Sequence, residues 1–304
     1  MKLTIDLDKL LEEGEINHAE YEKFSRLAAR NTASLAFNIL IAFGVIAVSG
    51  GALALVPTPV TAFAIGLGIC AVGIAIKKAN NVQWMLFANI CVLVGALMFG
   101  GGIITTDEGS VRSFLIVAVA FVGAGIFSII SLLFVISVLS ISSCLGSRTG
   151  YIHATYFLGI SEPTLTVVLF TIFSIGLYQL SKYLEADYQN MAITASRTVV
   201  FLVNFGFWVG SLWGDHKEGG EIFIPDEVFA TLWAIALIAA GSWAWKRNRR
   251  WLVNIVAVFG AIHFYTQWFE RLGASEVTVL VAGLLALGFA VWLRAMNARL
   301  RSDK

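Results

Sequence analysis

From Ser113 to Gly146 the chain carries no Asp, Glu, Lys, Arg or His. An ionised group at the centre of a bilayer costs at least about 3 kcal/mol, while soluble domains carry about 25% charged residues. The 304-residue chain is 58% hydrophobic and only 13% charged, with a mean hydropathy of +0.80. A water-soluble core could not hide this much apolar surface, whereas a bilayer can. The expected fold class is all-α, a polytopic integral membrane helix bundle.

A span needs about 20 apolar residues to cross some 30 Å of hydrocarbon. On that criterion spans are expected near 33–55, 60–77, 82–105, 164–181, 190–213, 227–245, 251–269 and 276–296. Pro57-Thr58-Pro59 predicts a tight turn between the first two. As one helix, the uncharged stretch 113–146 would be about 50 Å long at 1.5 Å per residue. That is too long for one comfortable span.

Charge parity resolves this stretch, because cytoplasmic loops accumulate Lys and Arg. Lys77-Lys78, the cluster Lys246-Arg247-Asn248-Arg249-Arg250, and the tail with Arg294, Arg299, Arg301 and Lys304 mark the inside. Lys23, Arg26 and Arg30 place the N-terminus on the same side. The outside keeps only Arg112, Arg148, Lys217 and Arg271, beside acidic loops at Asp107-Glu108 and Asp215 to Glu227. An even number of crossings must then lie between spans 82–105 and 164–181. Two short helices near 113–128 and 130–146 satisfy this, with a re-entrant hairpin as the alternative. The total is about ten transmembrane helices with both termini cytoplasmic.

Residues 1–31 read as a short cytosolic helical hairpin, and 32–304 as the transmembrane bundle. Leu7, Leu10 and Leu11 stripe the first arm, Gly14 breaks it, and Asn17 caps the second with Glu20 as capping-box partner. This polar, acidic start has no apolar run behind a basic segment, which predicts no cleavable signal peptide. Ten spans divide into halves near 33–146 and 164–296, and an odd number per half would invert one against the other. The net charge of +1 gives no indication of nucleic-acid binding. Cys70, Cys91 and Cys144 are odd in number and form no CxxC pair, so neither a disulfide framework nor a zinc site is indicated.

The seventh span holds the most informative pattern. Arg197, Phe201, Asn204, Trp208, Ser211 and Asp215 follow at steps of three or four and share one helix face. Arg and Asn on a lipid-facing stripe are costly, so this face should look into the bundle or a wet cavity. Arg197, Asn204, Trp208, Ser211 and Asp215 are therefore candidates for a substrate path. The plainer alternative has Arg197 snorkelling, Asn204 bonding a neighbouring helix, and the tryptophans sitting in the aromatic belt.

His263, Gln267 and Glu270 make a second stripe in the ninth span, ending at the same level as Asp215 and His216. With His153 and Glu162 they form a candidate outer polar cluster. Imidazole with carboxylate can hold a divalent metal or relay protons, but no compact ligand signature such as HxxxH is present. No metal and no cofactor is therefore expected. No GxSxG elbow, HExxH or P-loop occurs, so no catalytic residues are assigned. Gly44, Gly50-Gly51, Gly66, Gly73, Gly95 and the Ala282/Ala286/Ala290 series read as close helix packing.

The stretch Arg197 to Asp215 and the segment Tyr151-Ile-His-Ala-Thr-Tyr-Phe-Leu-Gly-Ile-Ser-Glu-Pro163 resemble a bacterial family of predicted multipass membrane proteins. That family carries a domain of unknown function (DUF2157-like). The opening Leu11-Glu-Glu-Gly-Glu-Ile-Asn-His-Ala-Glu20 and the closing Gln267-Trp-Phe-Glu270 are similar to it as well. The resemblance covers most of the chain. It implies a bacterial inner-membrane location and supplies no activity.

Three functions stay open on the residues. The leading one is a transporter-like protein for a small solute or ion. The second is a membrane-embedded assembly or interaction protein docking through the N-terminal hairpin, and the third an enzyme acting on lipid at the outer cluster. The expected partners are the lipid bilayer and either other membrane proteins or a second copy of the chain, with no nucleic acid.

Overall fold

Backbone N–H and C=O groups in hydrocarbon must find partners inside the protein, and a helix supplies them internally. The computed structural model describes residues 10–11, 14–79, 84–145, 147–152, 155–216 and 222–302. Its long elements are all helices: α1 (His18–Leu55), α2 (Pro59–Lys78), α3 (Met85–Thr106), α4 (Val111–Ser128), α5 (Ser131–Cys144), α6 (Pro163–Leu180), α7 (Ala186–Trp213), α8 (Asp226–Lys246), α9 (Arg250–Leu272) and α10 (Glu276–Ser302). Among the described residues seven helices, α2–α4 and α6–α9, are long and apolar enough to cross a membrane. The other three contribute shorter apolar stretches, Ile39–Leu55, Ser131–Cys144 and Glu276–Gly288. Leu40, Phe43, Leu55, Phe127, Ile172, Ile238 and Leu287 stand exposed on these helices, a surface that suits lipid and not water. The chain is a multi-pass membrane protein.

Side-chain caps start α1, α2 and α4. The Asn17 side chain accepts from the Glu20 N–H at 2.8 Å, and the Asn17 N–H donates to the Glu20 carboxylate at 3.0 Å, completing the capping box. The helix so started continues into the first apolar stretch without a break, so the hairpin's second arm and the first span are one element. The hairpin's first arm lies largely outside the described residues. Thr58 caps α2 by accepting from the Thr61 N–H at 3.1 Å, with Pro59 at the first helical position, where a missing N–H costs nothing.

Two segments expected only as connections pair as antiparallel hairpins. β1 (Ser147–Ile152) pairs with β2 (Thr155–Ile160), and β3 (Asp215–His216) with β4 (Ile222–Ile224). Tyr151, Ile152, Thr155, Tyr156 and Phe157 are strand-forming residue types.

The chain divides into two compact units, Met1–Leu133 and Phe134–Lys304. In the first, α2 and α3 pack at backbone contact. A Cβ on Gly66 would sit 2.4 Å from the Phe99 nitrogen, and one on Gly95 2.5 Å from the Cys70 nitrogen. Only glycine permits that approach, as the sequence reading of Gly66, Gly73 and Gly95 anticipated. Gly44, Gly50 and Gly51 depart from that reading: a Cβ there would meet nothing within 4 Å. The stretch 113–146 is two helices, α4 and α5. The break falls at Ile129, which adopts the left-handed conformation (φ 54°, ψ 47°). The Lys77 ammonium reaches the freed Ser128 carbonyl and also donates to Asn89 Oδ1 at 2.5 Å.

In the second unit Val138, Phe170, Ala195, Val199 and Leu202 form a core joining α5, α6 and α7. Gly210 lets α7 meet α8, since a Cβ there would lie 2.5 Å from the Phe229 ring. Against α10, Tyr265 Oη donates to the Ala282 carbonyl and Trp268 Nε1 to the Thr278 carbonyl, each at 3.2 Å.

Candidate functional site

The polar stripe of α7 faces protein along most of its length. Asn204 is buried between α7 and α8: its Oδ1 accepts from Trp233 Nε1 at 2.9 Å, and its Nδ2 donates to the Val200 carbonyl at 2.8 Å. Trp233 is wholly buried. One turn along, Trp208 Nε1 donates to Thr266 Oγ1 of α9 at 3.0 Å, and Ser211 Oγ to the Trp208 carbonyl at 2.8 Å. Asp215 is buried and accepts from the Thr164 N–H at 3.2 Å. Its charge therefore sits at the N-terminus of α6, where the helix dipole favours an anion. Arg197, at the other end of the stripe, is exposed and lies over the Trp251 ring at 5.3 Å.

Around the Trp233–Asn204 bond the three helices close with aromatic rings. Trp233, Leu237 and Phe259 form the core, with Phe205, Phe207 and Trp208 packed against it. Phe259 meets Phe201 edge-on at 5.1 Å and Phe205 at 6.1 Å. At 1.5 Å per residue, Asn204 lies roughly 14 Å from the Trp213 end of α7, close to the middle of a span.

The α9 stripe approaches the same bond from the Asp215 end. His263 sets its ring edge-on to Trp233, with centroids 4.9 Å apart. His263 Nδ1 and Gln267 Nε2 are buried without a hydrogen-bond partner. Such atoms are rare in native structures, and each calls for a cause such as a ligand or water. Gln267 Oε1 accepts weakly from Arg271 Nε at 3.4 Å. Just above lies a pocket of about 360 Å³ lined by Ser211, Asp226, Glu227, Gln267, Glu270 and Arg271. Three carboxylates against one guanidinium leave its lining net negative.

Of the outer polar cluster's described residues, only some share one pocket. Gln267, Glu270 and Ser211 share the pocket, with His263 one turn below. Glu162 and His216 are exposed, and neither lines it. His153 lies outside the described residues. Among the described residues no group of three or more His, Cys, Asp or Glu side chains could hold a metal ion.

Sequence reasoning missed Trp233, Thr266, Asp226 and Glu227. The last two carried a signal, being acidic residues in the first turn of α8. A second, larger pocket of about 630 Å³ lies at the Arg247 end of the same helices, lined by Tyr178, Lys182, Ser196, Val200, Arg247 and Arg249 among others. Val200 is the residue whose carbonyl holds Asn204. No family model, curated protein or solved structure matches the chain.

Proposed function

We propose that the protein crosses the bacterial inner membrane ten times, with both termini in the cytoplasm, and moves a small solute or ion through α7, α8 and α9. The observation that carries this reading is the place of two of the four unpartnered buried atoms found among the described residues, His263 Nδ1 and Gln267 Nε2, the others being Thr164 Oγ1 and Thr166 Oγ1 on α6. They lie between a solvent-reachable acidic pocket and the Trp233–Asn204 bond. Both atoms are sealed from the pocket as it stands, so water or a solute would reach them only as the helices part, and the aromatic layer would close the path beyond. The carboxylates of Asp226, Glu227 and Glu270 favour a cation or an amine-bearing solute over an anion.

Proteoliposomes on a solid-supported membrane test this directly, with Na⁺, K⁺, protons and short-chain amines as probes. The expected result is a transient current for at least one cation, abolished by Asn204→Leu and weakened by Glu270→Gln. Silence across that panel, with correctly inserted protein, overturns the reading. Tags at either terminus should be reached only after the inner membrane is permeabilised, and a tag at 217–221 without permeabilisation.

A second reading, an assembly protein docking through its N-terminal segment, draws on the exposed Phe24 near the start of α1. It predicts that deleting residues 1–30 removes a co-purifying partner and leaves all currents intact.

A further inference from the structure

The pocket at the Arg247 end differs in chemistry from the acidic one and is not explained by a cation path. Lys182, Arg247 and Arg249 line it, and among the described residues no Asp or Glu does. Among the described residues none of these three cations is within ion-pair distance of a carboxylate. Two of them are held by one aromatic ring: Lys182 Nζ lies 5.1 Å and Arg249 Cζ 5.7 Å from the centre of Tyr178. Trp243 stands edge-on to that ring at 6.0 Å. Lys182 also donates to Gln179 Oε1 at 2.6 Å, and Arg197 adds a further positive charge on Trp251.

Stacking on a ring orients a guanidinium while leaving its N–H fork free for a planar or tetrahedral oxyanion. Several cations gathered without counter-charge repel one another, and an anion in their midst relieves that repulsion. Ile175, Val200 and Leu252 complete the wall with aliphatic surface. We infer that this pocket binds a phosphate-bearing anion: a phosphate mono- or diester whose oxygens meet Lys182, Arg247 and Arg249, and whose remaining part lies on the apolar wall. A lipid headgroup and a soluble phosphate ester share this chemistry. Basic pockets between membrane helices are suited to such groups. The inference does not depend on transport or on which side of the membrane the pocket faces.

The test is native mass spectrometry of the purified full chain in detergent, offered phosphatidylglycerol, cardiolipin or phosphatidylcholine. Thermal stabilisation by glycerol 3-phosphate and by inorganic phosphate is measured in parallel. Adducts of the anionic lipids over phosphatidylcholine, weakened about fivefold or more per charge removed by Lys182→Gln and Arg249→Gln, support the lipid source. Stabilisation by glycerol 3-phosphate, lost in the same variants, supports the soluble one. Arg112→Gln, which removes an exposed cation that is not among the pocket's lining residues, should change neither. Arg247→Lys keeps the charge and guards against a folding artefact by retaining binding. The inference is overturned if neither probe binds the wild-type chain, or if Arg112→Gln weakens binding as much as Arg249→Gln.

Discussion

Replacing Asn204 by Leu keeps the volume at the centre of the second unit but removes the acceptor of the Trp233 indole N–H. Trp233 is fully buried, with Phe259 and His263 packed around it, so water cannot substitute. An orphaned buried donor costs about 1–3 kcal/mol. In membranes the unfolded reference state finds partners too, and interhelical hydrogen bonds average about 0.6 kcal/mol with an upper value of about 1.7. A double-mutant cycle of Asn204→Leu with Trp233→Phe should therefore return a coupling of about 0.6–1.7 kcal/mol. The assay is reversible unfolding in mixed micelles followed by far-ultraviolet circular dichroism, which does not depend on the tryptophan removed. Additivity within about 0.3 kcal/mol would refute the claim that this bond joins α7 to α8.

Other substitutions probe separate elements. Gly95→Val places a Cβ 2.5 Å from the Cys70 nitrogen, where backbone cannot yield; it should cost about 3 kcal/mol, the upper end for overpacking, read as loss of monodisperse protein on size exclusion. Ile129→Gly relieves a left-handed β-branched residue whose side chain is half exposed. The melting temperature should rise, by the equivalent of about 0.5–1 kcal/mol after glycine's own entropic cost. Asp215→Asn removes the charge facing the first turn of α6 and should lower stability by about 0.3–1 kcal/mol in thermal melts at low ionic strength.

Most helices were legible because hydropathy and punctuation agree, as at Thr58-Pro59, where capping and proline both start α2. The break at Ile129 was not marked by glycine or proline. Only the length of the stretch and the count of crossings called for a break there, and what stabilises it is Lys77 from another helix reaching the Ser128 carbonyl. The polar stripe of α7 was legible as a face, since spacing sets direction. Its partners were not, because Trp233 and Thr266 meet it only through packing. The basic cluster 246–250 was readable as a topological marker, but the place of Arg249 beside Lys182 on Tyr178 depends on the C-terminal turn of α6 meeting the loop after α8. Among the described histidines, His263 faces the aromatic core while His216 stands exposed.

The central claim is that two pockets at opposite ends of α7–α9 are separated by the Trp233–Asn204 layer. Thiol accessibility tests it, with Cys70, Cys91 and Cys144 replaced by Ala and single cysteines placed at Ser211, Asn204 and Ser196. Oriented vesicles are treated with a membrane-impermeant maleimide from each side in turn. The account predicts that position 211 reacts only from the outside, 196 only from the inside, and 204 slowly from both. Reaction of 211 and 196 from the same side, with 204 inert to either, would contradict it.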